Sequence, residues 1–325
     1  MSRSGEAALL DERFVDHYAQ ASGVDTLVAE RDIVLTYVLK VLYDNLSRKL
    51  AFKGGTCLKK VYLGKTGRFS MDLDFTGVDL TPKSFRQSFA ELFNSREHYG
   101  ITFEISEEYS RLKEESYGSI VRYSHGWNSG SRFKVEVSFR ETPILPLEEL
   151  PLIRELYFRY FEIQPFKVAC MELEELLAEK IRAAFQRLQN RDLYDLYLFS
   201  RRPVNKKRIL SLVVLKCWNA KDPFDPNLLF GKIENERYDW SDLESLVTTK
   251  KLAREKTIIK SVVENYAYLK DLDGDLIDVV KDSKSHRRSN LVNSLCQRLL
   301  KIAPIRSGVK TDSSELDKLL YVEKG

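Results

Sequence analysis

The residues of this chain best suited to chemistry lie in one run, Phe52 to Phe75, where a glycine pair is followed by two closely spaced aspartates. Asp72-Leu73-Asp74-Phe75 alternates polar and apolar residues, so as a strand it points both carboxylates to one face and Leu73 and Phe75 to the other. Two carboxylates so placed can share a hard cation. Mg²⁺ takes oxygen ligands, keeps several waters and commonly completes its shell with substrate phosphates. Upstream, Gly54-Gly55 permits a tight turn, and backbone amides at such a turn, opening a helix, suit an anion. Taken singly, the glycine pair is an ordinary turn and Asp-x-Asp an ordinary solvated edge. In this order and spacing they are more specific.

Several elements must position that run. Leu50-Ala51-Phe52 reads as a strand, and Thr56 to Leu63 has helical spacing. Val28 to Leu50 carries apolar residues at helical intervals and predicts a long amphipathic helix packed beneath the sheet, preceded by a short helix around Asp11 to Ala19. Thr81-Pro82 is a helix start, with Phe85, Phe89, Leu92 and Phe93 on one face. Ile101 to Tyr109, Ser116 to Ser124 and Arg132 to Phe139 then read as a strand meander. In the last of these Glu136 falls opposite the apolar side, either as a third carboxylate for the site or as part of a solvated face beside Lys134 and Arg140. Pro143, Pro146 and Pro151 predict no regular element, and a weak domain boundary is placed before Pro165, dividing 1–165 from 166–325.

A second chemical element spans Glu172 to Leu198. Leu173, Leu176, Leu177, Ile181, Ala184, Phe185 and Leu188 form one helical stripe, and Lys180 falls inside it. A lysine there either snorkels to the edge or is held for an anion. Asp192 is read as a possible N-cap of the next helix, with Asp195 in its first turn. Further helices are predicted over Lys206 to Trp218, Ser241 to Lys251, Thr257 to Leu269 and Asn290 to Ile302. Lys281, Lys284, Arg287, Arg288, Arg298, Lys301, Arg306 and Lys310 face a single acid, Asp282, within their stretch, and Lys206-Lys207-Arg208 is a smaller basic cluster. Either could track a phosphate backbone or be a solvated face.

With 325 residues, 43% apolar and 31% charged, the composition is that of an ordinary globular protein long enough for two domains. A net charge of +4 is too small for the whole molecule to act as a polycation. Cys57, Cys170, Cys217 and Cys296 lie far apart, which argues against a zinc site or redox dithiol and reads as reduced cytoplasmic thiols. No signal peptide is read at the start, and the longest apolar run, Ile209 to Leu215, is far too short for a bilayer.

Gly54-Gly55-Thr56-x-Leu58-x-Lys60-x-Tyr62, followed by Arg68-Phe69-Ser70-x-Asp72-Leu73-Asp74-Phe75, resembles the AbiEii-type (MenA-type) nucleotidyltransferases, toxins of type IV toxin–antitoxin systems within the DNA polymerase β-like superfamily. The likeness covers about residues 45 to 200, and Ala178-Glu179-Lys180 with Arg191-Asp192-x-x-Asp195-Leu196 resembles the family's downstream motifs. Thr56 stands where a serine often follows the glycine, and the gap to Asp72 is long. The resemblance implies an α+β fold: a polymerase β-like palm with a mixed sheet, plus a C-terminal helical domain carrying Lys180 and a basic face. It implies metal at Asp72, Asp74 and Glu136, and nucleotide binding by Gly54, Gly55, Thr56, Arg68, Ser70 and Lys180, with Asp192 and Asp195 supporting catalysis. It further implies Mg²⁺, with Mn²⁺ as an alternative, an NTP substrate, transfer of a nucleoside monophosphate to RNA at the tRNA 3′ end, and a cognate antitoxin. A non-catalytic RNA- or protein-binding module on the same fold is the competing reading.

Overall fold

The structure, a computed structural model, describes residues 10–110, 115–187, 189–247 and 252–302. Helices α1 (Glu12–Ser22) and α2 (Thr26–Leu46) lead into β1 (Leu50–Lys53), α3 (Gly54–Cys57, continued as a wider π-helical turn over Leu58–Leu63), β2 (Asp72–Gly77) and α4 (Pro82–Phe93). The meander follows as β3 (Arg96–His98), β4 (Ile101–Tyr109), β5 (Ser116–His125) and β6 (Asn128–Ser138), then β7 (Glu148–Pro151), α5 (Leu156–Tyr160) and β8 (Lys167–Cys170). Helices α6 (Leu173–Arg187), α7 (Asn190–Phe199), α8 (Lys206–Asn219), α9 (Pro226–Asn235), α10 (Ser241–Glu244), α11 (Glu255–Asn265), α12 (Gly274–Asp282) and α13 (Ser289–Leu300) complete the described chain.

The strands form one mixed sheet in the order β3-β4-β5-β6-β2-β1-β8-β7. Strand β2 is central: it runs antiparallel to β1 and parallel to β6, which puts Asp74 beside both Lys53 and Glu136. The alternation read from the sequence fixes the faces. Leu73, Phe75, Phe133, Val135 and Val137 are buried on one side. There α2 lies against the sheet, the Tyr43 hydroxyl donating to the carbonyls of Leu50 and Ala169 at 2.9 Å each. Helix α4 covers the meander, with Phe85 and Phe89 against Tyr117 and Phe93 against Phe103. Its start is a capping box in which Thr81 and Ser84 satisfy each other's backbone N–H groups.

The proline-rich stretch differs from expectation, since Glu148–Pro151 forms β7. It lies at the outer edge of the sheet, paired only with β8, where a terminal proline costs no ladder bond. Strand β8, just past the expected boundary, pairs in parallel with β1 in the same sheet. The helix predicted over Ser241 to Lys251 is one turn, Ser241–Glu244, and residues 248–251, like Leu188 of the predicted stripe, fall outside the described residues. Among the described residues, no helix is long and apolar enough to cross a membrane.

Candidate active site

The glycine pair is explained by what sits against it. Gly54 has φ +75°, in the left-handed region, and a Cβ there would stand 2.2 Å from Asp74 Oδ2. At Gly55 a Cβ would meet Arg68 Nη2 at 2.6 Å and Ser70 Oγ at 3.2 Å. Two glycines thus let the turn press directly onto β2 and the segment before it. Thr56 secures the turn, its hydroxyl donating to the Asp72 carbonyl.

The carboxylates come from neighbouring strands on the face away from the core. Asp74 and Glu136 are register partners, and Asp72 is the partner of Lys134, whose backbone N–H donates to Asp72 Oδ1 at 3.3 Å. Burial, then repulsion from Glu136 and from Asp72, pushes the Asp74 carboxyl up to about 6. Burial also raises Asp72, with Glu136 adding to it. Tyr109 on β4 holds Glu136, its hydroxyl donating to Oε1 at 2.8 Å. The ring reaches across β5 because Gly118, its register partner, has no side chain; a Cβ there would lie 2.2 Å from the ring.

The opposite wall is a closed ion-pair network. Lys180 on α6 places Nζ 2.9 Å from Asp192 Oδ1 and 2.8 Å from Asp195 Oδ2. Arg68 grips Asp195 from the other side through two parallel bonds of 2.9 Å. Arg187 reaches Asp192 at 3.2 Å. Burial alone would raise Asp192, but Lys180 and then Arg187 outweigh it and hold the carboxyl below its ordinary range. The structure thus replaces the capping reading: Gln189 is the N-cap residue of α7, and Asp192 turns inward from the first turn.

These walls enclose a cavity of about 320 Å³ lined by Gly54, Asp74, Tyr109, Glu136, Lys180 and Asp192, among others. Of the residues singled out in the sequence, Gly54, Asp74, Glu136, Lys180 and Asp192 line it; Asp195 and Arg68 lie behind Lys180, and Gly55, Thr56, Ser70 and Asp72 adjoin it. Lys53 lines it too, opposite Asp74 and paired at 3.2 Å with Glu179, which Lys216 also holds at 3.1 Å. Sequence reasoning missed Lys53 and Tyr109. The available signal for Tyr109 was Gly118, since a glycine inside a strand marks a close approach.

Among the described residues, no three His, Cys, Asp or Glu side chains form a ready-made metal cage. Asp72, Asp74 and Glu136 nonetheless suit a cation that retains waters and takes phosphate oxygens, because their mutual repulsion is what such a charge relieves.

The basic clusters are thinner than the sequence suggests. Arg208 is buried between Glu172 and Glu174, while Arg288 and Arg298 pair with Asp278 and Asp275. Arg306 and Lys310 lie outside the described residues.

Residues 40–256 match the model of a family described as AbiEii, a nucleotidyl transferase toxin of type IV toxin–antitoxin systems. Among solved structures the chain is similar to MenT4, the nucleotidyltransferase toxin Rv2826c from Mycobacterium tuberculosis H37Rv. The TM-score is 0.77 at 24% identity, covering 89% of this chain and 99% of that one. At that identity the likeness is one of fold. No curated protein matches.

Proposed function

We propose, from the premise that this chain belongs to the AbiEii family of nucleotidyltransferase toxins of type IV toxin–antitoxin systems, that it moves a nucleoside monophosphate from an NTP to the 3′ end of a tRNA with Mg²⁺. The observation that carries this reading is the single cavity where Gly54, Asp74, Glu136 and Lys180 meet. Asp72, Asp74 and Glu136 would hold the Mg²⁺, which when bound would supply Lewis-acid activation of the acceptor hydroxyl and charge relief at the leaving pyrophosphate. The Gly54-Gly55-Thr56 turn offers backbone amides to the triphosphate, and Ser70 adds a hydroxyl beside it. Thr56 acts by tying the turn to β2.

Lys180 presents its charge to the phosphates from a position set by Asp192 and Asp195. Arg68 fixes Asp195 and adds positive potential beside Gly55. Tyr109 leaves the Glu136 carboxylate one defined orientation. In this reading residues 1–165 supply the carboxylates and the glycine turn, and residues 166–325 supply Lys180 and the helical layer. The reaction belongs in the cytoplasm, and a cognate antitoxin restrains it.

The test is incubation with Mg²⁺, total tRNA and each α-labelled nucleoside triphosphate in turn, beside Asp74→Asn. Label on RNA with the intact protein alone is the expected result. Label on protein instead would remove RNA as acceptor, and no label with any nucleotide would overturn the transfer reading.

A further inference from the structure

The face of the sheet that carries the carboxylates continues past them. Register fixes which side chains share it: Asp72 is opposite Lys134, Arg132 is opposite Arg122, and Glu136 follows Lys134 two residues on. Lys134, Arg132 and Arg122 are all exposed, and the described residues give none of them a salt bridge. The charged side chains of the opposite wall behave otherwise, since Lys180, Arg68 and Arg187 are each paired with a carboxylate. Two residues of strand rise are about 7 Å, so the row extends roughly 13 Å from Glu136 to Arg132. Glu104, opposite Arg122, and Glu107, opposite Ile120, bound the row on β4. The cations therefore form a lane two strands wide, with acids along its far side.

We propose that this lane, Lys134, Arg132 and Arg122 on the open face of β5 and β6, holds the phosphate backbone of the acceptor RNA next to its reacting 3′ end. The inference rests on the reading that the acceptor is RNA and adds where it lies. Exposed cations that make no salt bridge release counterions from a polyanion with no close ion pair to break first, and a strand with its end beside Asp74 has this lane as a way out. Acids on the far side would repel a backbone that strayed from it.

The test uses Arg122→Ala/Arg132→Ala in the full chain, sparing Lys134 because its side-chain charge acts on Asp72. Transfer would be measured to intact tRNA and to a trinucleotide with the same 3′ sequence, and tRNA binding by fluorescence anisotropy without nucleotide. We expect KM for intact tRNA to rise about tenfold with kcat retained, and the salt slope of binding to fall by about 1 to 2. KM for NTP should not move, KM for the trinucleotide should move less than that for intact tRNA, and Arg122→Lys/Arg132→Lys should restore binding. Unchanged tRNA binding and salt slope would overturn the lane, as would loss of binding to an acidic protein partner with RNA binding intact. Weakened tRNA binding with no transfer from the intact protein would uphold the lane while the acceptor reading fails.

Discussion

The two walls of the cavity hold similar charged groups in opposite electrostatic conditions. On β2 and β6, Asp72, Asp74 and Glu136 repel one another, and Asp74 is pushed up to about 6. Across from them Asp192 and Asp195 are held by Lys180, Arg68 and Arg187, and Asp192 is pulled below its ordinary range. Buried carboxylates closed by cations are an internal scaffold; carboxylates that repel one another favour a positive charge brought beside them.

Removing a charge from the repelling wall should act on rate. Asp74→Asn should lower transfer on the order of 10³-fold in a labelled-NTP assay, as expected when an electrostatic stabiliser of the transition state is lost. Removing one from the closed wall should act on stability. Asp195→Ala leaves Arg68 buried without its bidentate partner and should cost about 3–5 kcal/mol in denaturant unfolding. Retention of wild-type stability would mean that the network is not a scaffold.

Gly54→Ala tests how tightly the turn meets the repelling wall. The left-handed backbone alone costs about 1–2 kcal/mol, and the methyl would displace Asp74, so transfer should fall more than stability does. Tyr109→Phe keeps the ring over Gly118 and deletes the hydroxyl that orients Glu136. The loss should be about tenfold in kcat with the melting temperature little changed.

The smallest effect is in acid. Because Asp192 is depressed in the folded state, its contribution is full above its unfolded value of 3.8 and is lost as pH falls through the lower folded value. In Lys180→Met the main cation is gone, and this acid-labile component, read from melting temperature below pH 5, should shrink.

Much of the repelling wall was legible because its geometry is local. The alternation of Asp72 to Phe75 and of Arg132 to Phe139 fixes which side chains face the cavity, and the glycine pair announces a close approach. The closed wall is long-range: Arg68 and Asp195 are 127 positions apart, and no pattern near either names the other. A helical wheel places Lys180 on the apolar stripe but leaves open whether it snorkels outward or turns inward. Strand β8 was missed because an exposed Lys167 followed by three buried residues without alternation carries no period to read. Helices α9 and α12 escaped as short segments beyond the motifs.

The contrast between the walls is tested most directly by the melting temperatures of Asp74→Asn and Asp195→Asn, side by side at pH 8 without divalent metal. Asparagine keeps each side chain's shape and removes its charge. The account predicts opposite signs: Asp74→Asn melts above the wild type, because repulsion and the burial of a charge are relieved, and Asp195→Asn melts below it, because Arg68 and Lys180 lose their counterion. Destabilisation by both would contradict it, since Asp74 would then be a paired carboxylate like those it faces.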